Sequence, residues 1–444
     1  MKMTEGKPMG HLVRYAVPLI LGNYLQLGYN AVDSIIAGRF IGEKALAAEG
    51  VAGPVMNLII LAITGLTIGS GVLMSEAYGA GDGKRLRKTL GTTLTLGLVL
   101  SVSVALLGIL LARPILRLLA VPEEIFEMTV IYLRITFLGA PFTFAYNALA
   151  SGLKSIGDSR TPLIFLAISS ALNGVLDLIF LGALHMGVTV SAITTVAAEA
   201  VSALLSAVYM TRRRKELTPA MEELRPDRAI LRRVLAYGAP TALQQTVLPL
   251  GKLAVSGQIN ALHSVEAIAA FNAVTRLDDF AIVPCQTLGS AISTFIAQNR
   301  GAGKEERIRP GFRAGIALEV GYYVFIGTVA ALFRRPLVAM FVDGEGAGAV
   351  IEIGTAYLGY MTIFYLYPAF TNGIQNFFRG IGHMMTTAFC TFLQIGLRAL
   401  ACIWLVPALG VPGVAVASAV GWTAMLIYEV PLYFYTVRKM GIPK

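Results

Sequence analysis

The sequence predicts an all-α polytopic membrane protein: twelve transmembrane helices in two six-helix lobes, related by a pseudo-two-fold axis along the membrane normal. Three observations carry this. The 444-residue chain is 56% hydrophobic and only 14% charged, whereas soluble domains carry about 25% charged residues. Its apolar residues fall into twelve runs long enough to span a bilayer. Its two halves repeat.

A span needs about 20 mainly apolar residues. The runs are 12–39, 46–78, 90–112, 124–148, 161–184, 187–210, 234–260, 266–298, 312–333, 350–376, 385–409 and 411–437. Several exceed the hydrocarbon thickness, so tilted or bent helices are expected. Pro18, Pro54, Pro141, Pro240, Pro249, Pro284 and Pro368 lie inside or near them. Membrane helices tolerate proline where neighbours satisfy the freed carbonyls. The first run is too long for a signal-peptide core and reads as a retained span.

Basic residues set the orientation. They crowd into alternate connections: Lys84, Arg85, Arg87 and Lys88 after the second run, Arg212, Arg213, Arg214 and Lys215 after the sixth, Arg300, Lys304, Arg307 and Arg309 after the eighth. The opposite connections hold only Arg39, Lys44, Arg113, Arg117, Arg334 and Arg335. The positive-inside rule then puts both termini in the cytoplasm, and the membrane is expected to be a prokaryotic plasma membrane. The net charge of +10 is an orientation signal, not a nucleic-acid surface. The charged connection 211–233 divides the chain into an N-terminal lobe, 1–210, and a C-terminal lobe, 234–437, with a cytoplasmic tail at 438–444.

Enzyme chemistry finds no foothold. Cys285, Cys390 and Cys402 all sit in apolar runs without a CxxC pair, and His11, His185, His263 and His383 are scattered without ligand spacing. The cysteines read as small buried or lipid-facing residues rather than metal ligands or disulfides. No GxxxxGK[ST] phosphate loop is present, so no ATP-hydrolysing part is expected in the chain. No cofactor is expected. The partners are a small-molecule substrate and the lipid bilayer, and the chain is read as a monomer.

The halves align in order. EAYGAGDGK (76–84) meets QNRGAGKEE (298–306) at a shift of 222, as do Pro18 with Pro240, ALAA (45–48) with AIAA (267–270), and Arg113-Pro114 with Arg335-Pro336. NALASGLKSIG (147–157) meets NGIQNFFRGIG (372–382) at a shift of 225. A repeat of six spans preserves orientation, so the halves are parallel repeats. Secondary transporters are built this way, with a substrate site between halves and alternating access by rocking.

NAVDSIIAGRFIG (30–42), ALAA (45–48), GAGDGK (79–84), GLKSIGDSRTP (152–162) and NGVLDLIF (173–180), in that order, resemble the multidrug and toxic compound extrusion (MATE) family over essentially the whole chain. The resemblance implies two six-helix lobes and efflux of cationic or amphipathic compounds, driven by a proton or sodium gradient.

An ionisable group inside a span is costly and is a functional hypothesis by default. The acids in or at the spans are Asp33, Glu76, Asp177, Glu199, Asp278, Asp279, Glu319 and Glu429, with the bases Arg134, Lys252, Arg276 and Arg398. Depth separates them. Asp33 closes the outward-rising first span. Asp177 lies about 16 residues into the fifth, roughly 24 Å up. Tyr132 and Thr195 lie about 8 residues, roughly 12 Å, down from the outside in spans 4 and 6. All four reach the outer half of a core about 30 Å thick. Asn173 shares a helix face with Asp177, and Gln26 lies two turns below Asp33. Two nearby carboxylates out of water do not easily both ionise, so the pair can carry a proton; the same oxygens suit Na⁺. The resemblance places the family's proton or cation site on Asp33, Asn173, Asp177, Tyr132 and Thr195 in this sequence. The plainer readings are a helix cap or an Arg39 pair for Asp33, a structural hydrogen bond for Asp177, an interface aromatic for Tyr132, and helix–helix glue for Thr195 and Gln26.

At the repeat shifts Asp33 meets Val255, Asn173 meets Arg398, Asp177 meets Cys402 and Thr195 meets Val420. The carboxylate pair is therefore one-sided, unlike a structural feature common to both halves. Glu199, Arg276, Asp278, Asp279 and Arg398 join Gln26 as candidates for the substrate cavity, the last four alternatively forming a charge network that holds the eighth span. The expected function is a secondary antiporter exporting small amphipathic or cationic compounds, coupled to H⁺ ahead of Na⁺. The alternatives are a flippase for lipid-linked intermediates, an exporter of an anionic or zwitterionic metabolite, and a facilitator-type transporter, whose basic second loop GAGDGKRLRK resembles. The repeat of that loop at 298–309 argues against the last.

Overall fold

The computed structural model describes residues 1–40, 42–342 and 346–442; within them, the side chains of residues 30–35, 37, 38, 43, 45 and 46 lie outside the description. Among the described residues every regular element is helical. In order the α-helices are α1 (Pro8–Phe40), α2 (Glu43–Gly79), α3 (Gly83–Leu118), α4 (Glu123–Ser155), α5 (Arg160–Asp177), α6 (Val188–Arg213), α7 (Arg228–Asn260), α8 (Val265–Gly301), α9 (Ile308–Leu332), α10 (Arg334–Ala339), α11 (Ala347–Phe364), α12 (Leu366–Gly380), α13 (Met384–Leu409) and α14 (Pro412–Lys439).

Each predicted run falls on one helix or one helix pair. Ten of the described helices are long and apolar enough to cross a membrane. The remaining two spans are α1 and α7, each 33 residues long; Gln244, Gln245, Lys252 and Gln258 dilute the apolar run of α7. The short α10 follows the ninth span. The tenth span is two helices, α11 and α12, meeting at Tyr365. Pro368 explains the break: it has no N–H to offer the carbonyl of Phe364, yet it fits the first turn of a new helix, where that N–H would have no partner.

The turns that close α2 and α8 are the two copies of the repeated GAG motif. Gly81 (φ 71°) and Gly303 (φ 67°) take the left-handed backbone there, which glycine adopts without steric cost. Asp82 then caps α3, its Oδ1 accepting from the backbone N–H of Arg85 at 2.9 Å.

The chain forms two compact units. Unit 1 comprises Met1–Lys2 and Leu21–Thr246; unit 2 comprises Met3–Ile20 and Val247–Lys444. The division is thus not sequential at 211–233: the start of α1 packs with unit 2 and the start of α7 with unit 1. In unit 2, the Tyr15 hydroxyl lies 3.3 Å from that of Thr294. In unit 1, glycines of α2 let α7 approach. A Cβ on Gly65 would stand 2.3 Å from Ala242 Cα, and one on Gly69 would stand 2.5 Å from the Tyr237 carbonyl carbon. The small residues of GLTIGSG therefore form a helix-packing face, as membrane helices use them.

The connection after α6 is folded against α3. Glu223 is buried, and Arg87 of α3 donates to it through Nε at 2.9 Å. Thr95 donates to the Leu224 carbonyl at 2.7 Å. Arg87 is the main cause that holds the Glu223 carboxyl below its ordinary value. Apolar side chains of α3 such as Val99, Leu106 and Leu110 are exposed, as expected of a helix facing lipid.

Candidate functional site

Asp177 is the last residue of α5 and is fully buried. The next turn, Leu178–Ala183, widens into a π-helix, a distortion that often accompanies functional sites. One turn earlier on the same face, Asn173 turns its Nδ2 to Asp177 Oδ2 at 3.1 Å. From α6, Thr194 donates its hydroxyl to Asp177 Oδ1. From α1, the Tyr29 hydroxyl donates to Asn173 Oδ1. From α2, Glu49 lies close enough to Asp177 to feel its charge, and its Oε1 accepts from Ser191 of α6 at 3.0 Å. Four helices of unit 1 thus bring hydroxyls, an amide and two carboxylates to one buried place. A buried carboxylate is tolerated where such donors surround it.

The sequence-derived candidates sort as follows. Asn173 and Asp177 stand together. Asp33 falls on α1, but its side chain is outside the described residues; its helix position is one turn beyond Tyr29, four residues on. Thr195 does not reach Asp177: its hydroxyl donates to the Ser191 carbonyl at 3.0 Å, and Thr194 takes the place expected for it. Tyr132 is half-buried against the apolar cluster of Phe126, Val130 and Leu133. Gln26 is exposed. Glu199 is lodged against α4, with Oε2 2.5 Å from where a Cβ on Gly139 would stand. Arg134 does not pair with it, donating from Nε to the Ile109 carbonyl at 3.1 Å.

In unit 2, Asp279 forms an ion pair with Lys252 at 2.7 Å. Buried Asp278 accepts from the hydroxyl of Tyr365, the residue at the α11–α12 break, at 2.6 Å. Arg398 is within electrostatic reach of Asp278, and its buried Nε has no hydrogen-bond partner. Arg276 is exposed. Glu319 is fully buried and accepts from Asn372 at 2.7 Å.

Sequence reasoning missed Glu49, Tyr29, Ser191 and Thr194. Glu49 had a signal, an acid inside the predicted second span. Among the described residues, no group of His, Cys, Asp and Glu is arranged to hold a metal ion.

Comparison with known proteins bears on this arrangement. The MatE family model matches residues 18–179 and 240–404. These two segments begin at the shift of 222 and end at the shift of 225 that the repeated motifs show. The chain belongs to the MATE family. Its members are transporters, not enzymes, so this is a multi-pass membrane transporter of a multidrug-efflux family, one in which proton coupling and alternating access are typical. The chain is 32% identical over 341 residues to the "Probable multidrug resistance protein YoeA" of Bacillus subtilis, covering 74% of this chain and 73% of that protein. It is 25% identical over 340 residues to the "FAD transporter" of Shewanella oneidensis, covering 75% of each. A solved MATE transporter, described as outward-facing, superimposes with a TM-score of 0.91 at 23% identity over 99% of this chain and 98% of that one. At that identity the likeness concerns the fold, and it confirms the MATE architecture of twelve helices in two lobes.

Proposed function

We propose that this MATE transporter is an antiporter that exports small amphipathic or cationic compounds in exchange for protons. It acts as a monomer in a bacterial plasma membrane, with both termini in the cytoplasm. The observation that carries the reading is the burial of Asp177 among Asn173, Thr194 and Glu49 inside unit 1. A carboxylate there is held by polar partners from α5 and α6. A proton entering from outside neutralises it, and substrate and proton then compete through the conformational equilibrium. Coupling needs only that each binds one state better than the other. Asp33, one turn above Tyr29, belongs to the same site in this reading.

The proton is favoured over Na⁺ by how the amide is used. Asn173 presents its nitrogen to Asp177, and its oxygen already accepts from Tyr29. A sodium ion needs oxygens turned toward it, several at once.

The test is dye efflux from proteoliposomes with pH and Na⁺ gradients imposed separately. The reading expects efflux driven by the pH gradient and lost in Asp177→Asn and Asp33→Asn at normal expression. Undiminished pH-driven efflux in both variants overturns the site, and drive by Na⁺ alone overturns the ion. A second reading, export of an anionic metabolite, has its own support in the unpartnered Nε of Arg398 and in the relative described as an FAD transporter. It predicts that Arg398→Gln abolishes export of a dinucleotide while leaving the response to cationic dyes unchanged.

A further inference from the structure

Where the α2–α3 turn meets the start of α7, unit 1 holds a cavity of about 330 Å³. Its wall carries Lys84, Arg85, Lys88 and Arg233 against Asp82 and Asp227, over a floor that includes Leu73 and Ile230. Both acids also bond backbone N–H groups. Asp82 caps α3, and Asp227 Oδ1 accepts from the backbone of Ala229 at 2.9 Å and Ile230 at 3.3 Å. Behind the wall a single carboxylate, Glu76, serves two arginines, Arg85 at 2.8 Å and Arg233 at 3.3 Å. Lys88 reaches Asp227 only at 3.8 Å, and exposed Lys84 is in no described ion pair. Four bases against the carboxylates of Asp82, Asp227 and Glu76 leave one net positive charge, on the side of exposed Lys84.

The repeat shows what this turn grips. In unit 2 the matching turn lays its donors on oxygens of the segment that precedes α1. Lys304 Nζ donates to the Thr4 carbonyl at 3.0 Å, Arg307 Nη2 to the Gly6 carbonyl at 2.7 Å, and Asn299 Nδ2 to the Met3 carbonyl at 3.2 Å. Arg307 is the repeat counterpart of Arg85. In unit 1 the segment that precedes α7 lies against the matching turn through Arg87–Glu223 at 2.9 Å and Lys88–Asp227 at 3.8 Å, and Lys84 and Lys88 line the cavity beside it.

We propose that this cavity binds a phosphate group, that of an anionic phospholipid or of a soluble phosphate ester. The chemistry is specific. Ammonium and guanidinium groups converge on oxygens that carry formal charge, and the apolar floor receives the carbon attached to the phosphate. The basic loops assign this end of the helices to the cytoplasmic face, where anionic headgroups concentrate and each nearby basic residue adds attraction. The site is separate from Asp177 and does not depend on the coupling ion.

The full-length protein is purified and examined by native mass spectrometry for retained phosphatidylglycerol against phosphatidylcholine. A parallel thermal-shift series with glycerol 3-phosphate tests the soluble source. The wild type is expected to prefer phosphatidylglycerol. Lys84→Gln with Lys88→Gln is expected to weaken that preference by about fivefold for each lysine removed. A control variant, Arg212→Gln with Lys215→Gln, removes the same charge from the exposed connection after α6 and keeps the preference. A glycerol 3-phosphate shift that the first variant abolishes, without lipid preference, assigns the site to a soluble ester. Equal retention of both lipids together with no shift overturns the proposal, as does an equal loss in the control variant. A variant that fails to purify is replaced by Lys84→Glu alone, judged by the same two readouts.

Discussion

Thr194 of α6 donates its hydroxyl to the carboxylate of Asp177 at the end of α5, while its neighbour Thr195 bonds only the backbone of Ser191. Successive residues on a helix point about 100° apart, so one of the two threonines serves the site and the other does not. Thr194→Val keeps the shape and removes the donor. A hydrogen bond to a charged group contributes about 1.5–3 kcal/mol, so pH-driven dye efflux in Thr194→Val is expected to fall by about tenfold or more. Thr195→Val loses only a bond back to its own helix and is expected to stay within about twofold. Equal effects of the two substitutions in the same vesicle assay count against the site.

Glu49 brings a second carboxylate within electrostatic reach of Asp177. Its Oε1 accepts from Ser191, an interaction that an amide oxygen can also make. Glu49→Gln therefore keeps the bond to Ser191 and removes only the charge. One pKa unit of interaction corresponds to a tenfold change in an equilibrium, and pH-driven efflux is expected to fall by about that factor. Glu49→Asp, which restores the charge, should recover part of the loss. Ser191→Ala leaves the charge in place and serves as the comparison. Efflux in Glu49→Gln that matches wild type over the whole pH range removes Glu49 from the mechanism.

How far the sequence foretold these residues depends on which physical signal each one leaves. Spans are legible because a run of about twenty apolar residues is long enough to cross the hydrocarbon core and poorly suited to water, and all twelve runs fall on helices. The break at Tyr365 was signalled only by Pro368, and proline in a membrane span can bend a helix as readily as end it. Asn173 and Asp177 were legible together because a spacing of four fixes a shared face whatever the helix's rotation. Thr195 is chosen by depth and by resemblance, neither of which fixes rotation, and it is the immediate neighbour Thr194 that bonds Asp177. Glu49 stands near the outer end of its span, where an acid also reads as interfacial. Tyr29 resembles a membrane-interface aromatic until its hydrogen bond is seen. The lobes were expected to divide in chain order, but contacts assign the start of α1 to unit 2 and the start of α7 to unit 1. Only tertiary packing carries that exchange, here through the glycines at 65 and 69.

Glu223 gives the connection after α6 its pH dependence. Arg87 is the main cause that depresses its carboxyl from the ordinary value of 4.5, aided by the backbone of Ala220 and opposed by burial. A carboxyl depressed by folding stabilises the docked state at pH values above its unfolded value. That contribution is lost as the pH falls below 4.5 and through the lower folded value. The docked segment should therefore hold at neutral pH and loosen in acid. Met221, two residues away, is 83% exposed, and a spin label on Met221→Cys can report the motion without touching the contact. Label mobility is expected to be low at neutral pH and to rise well below 4.5. Glu223→Gln retains a side-chain oxygen but loses the charge facing Arg87, so its label should be mobile at both pH values. A Glu223→Gln spectrum that follows wild type at each pH would show that the ion pair does not hold the segment against α3.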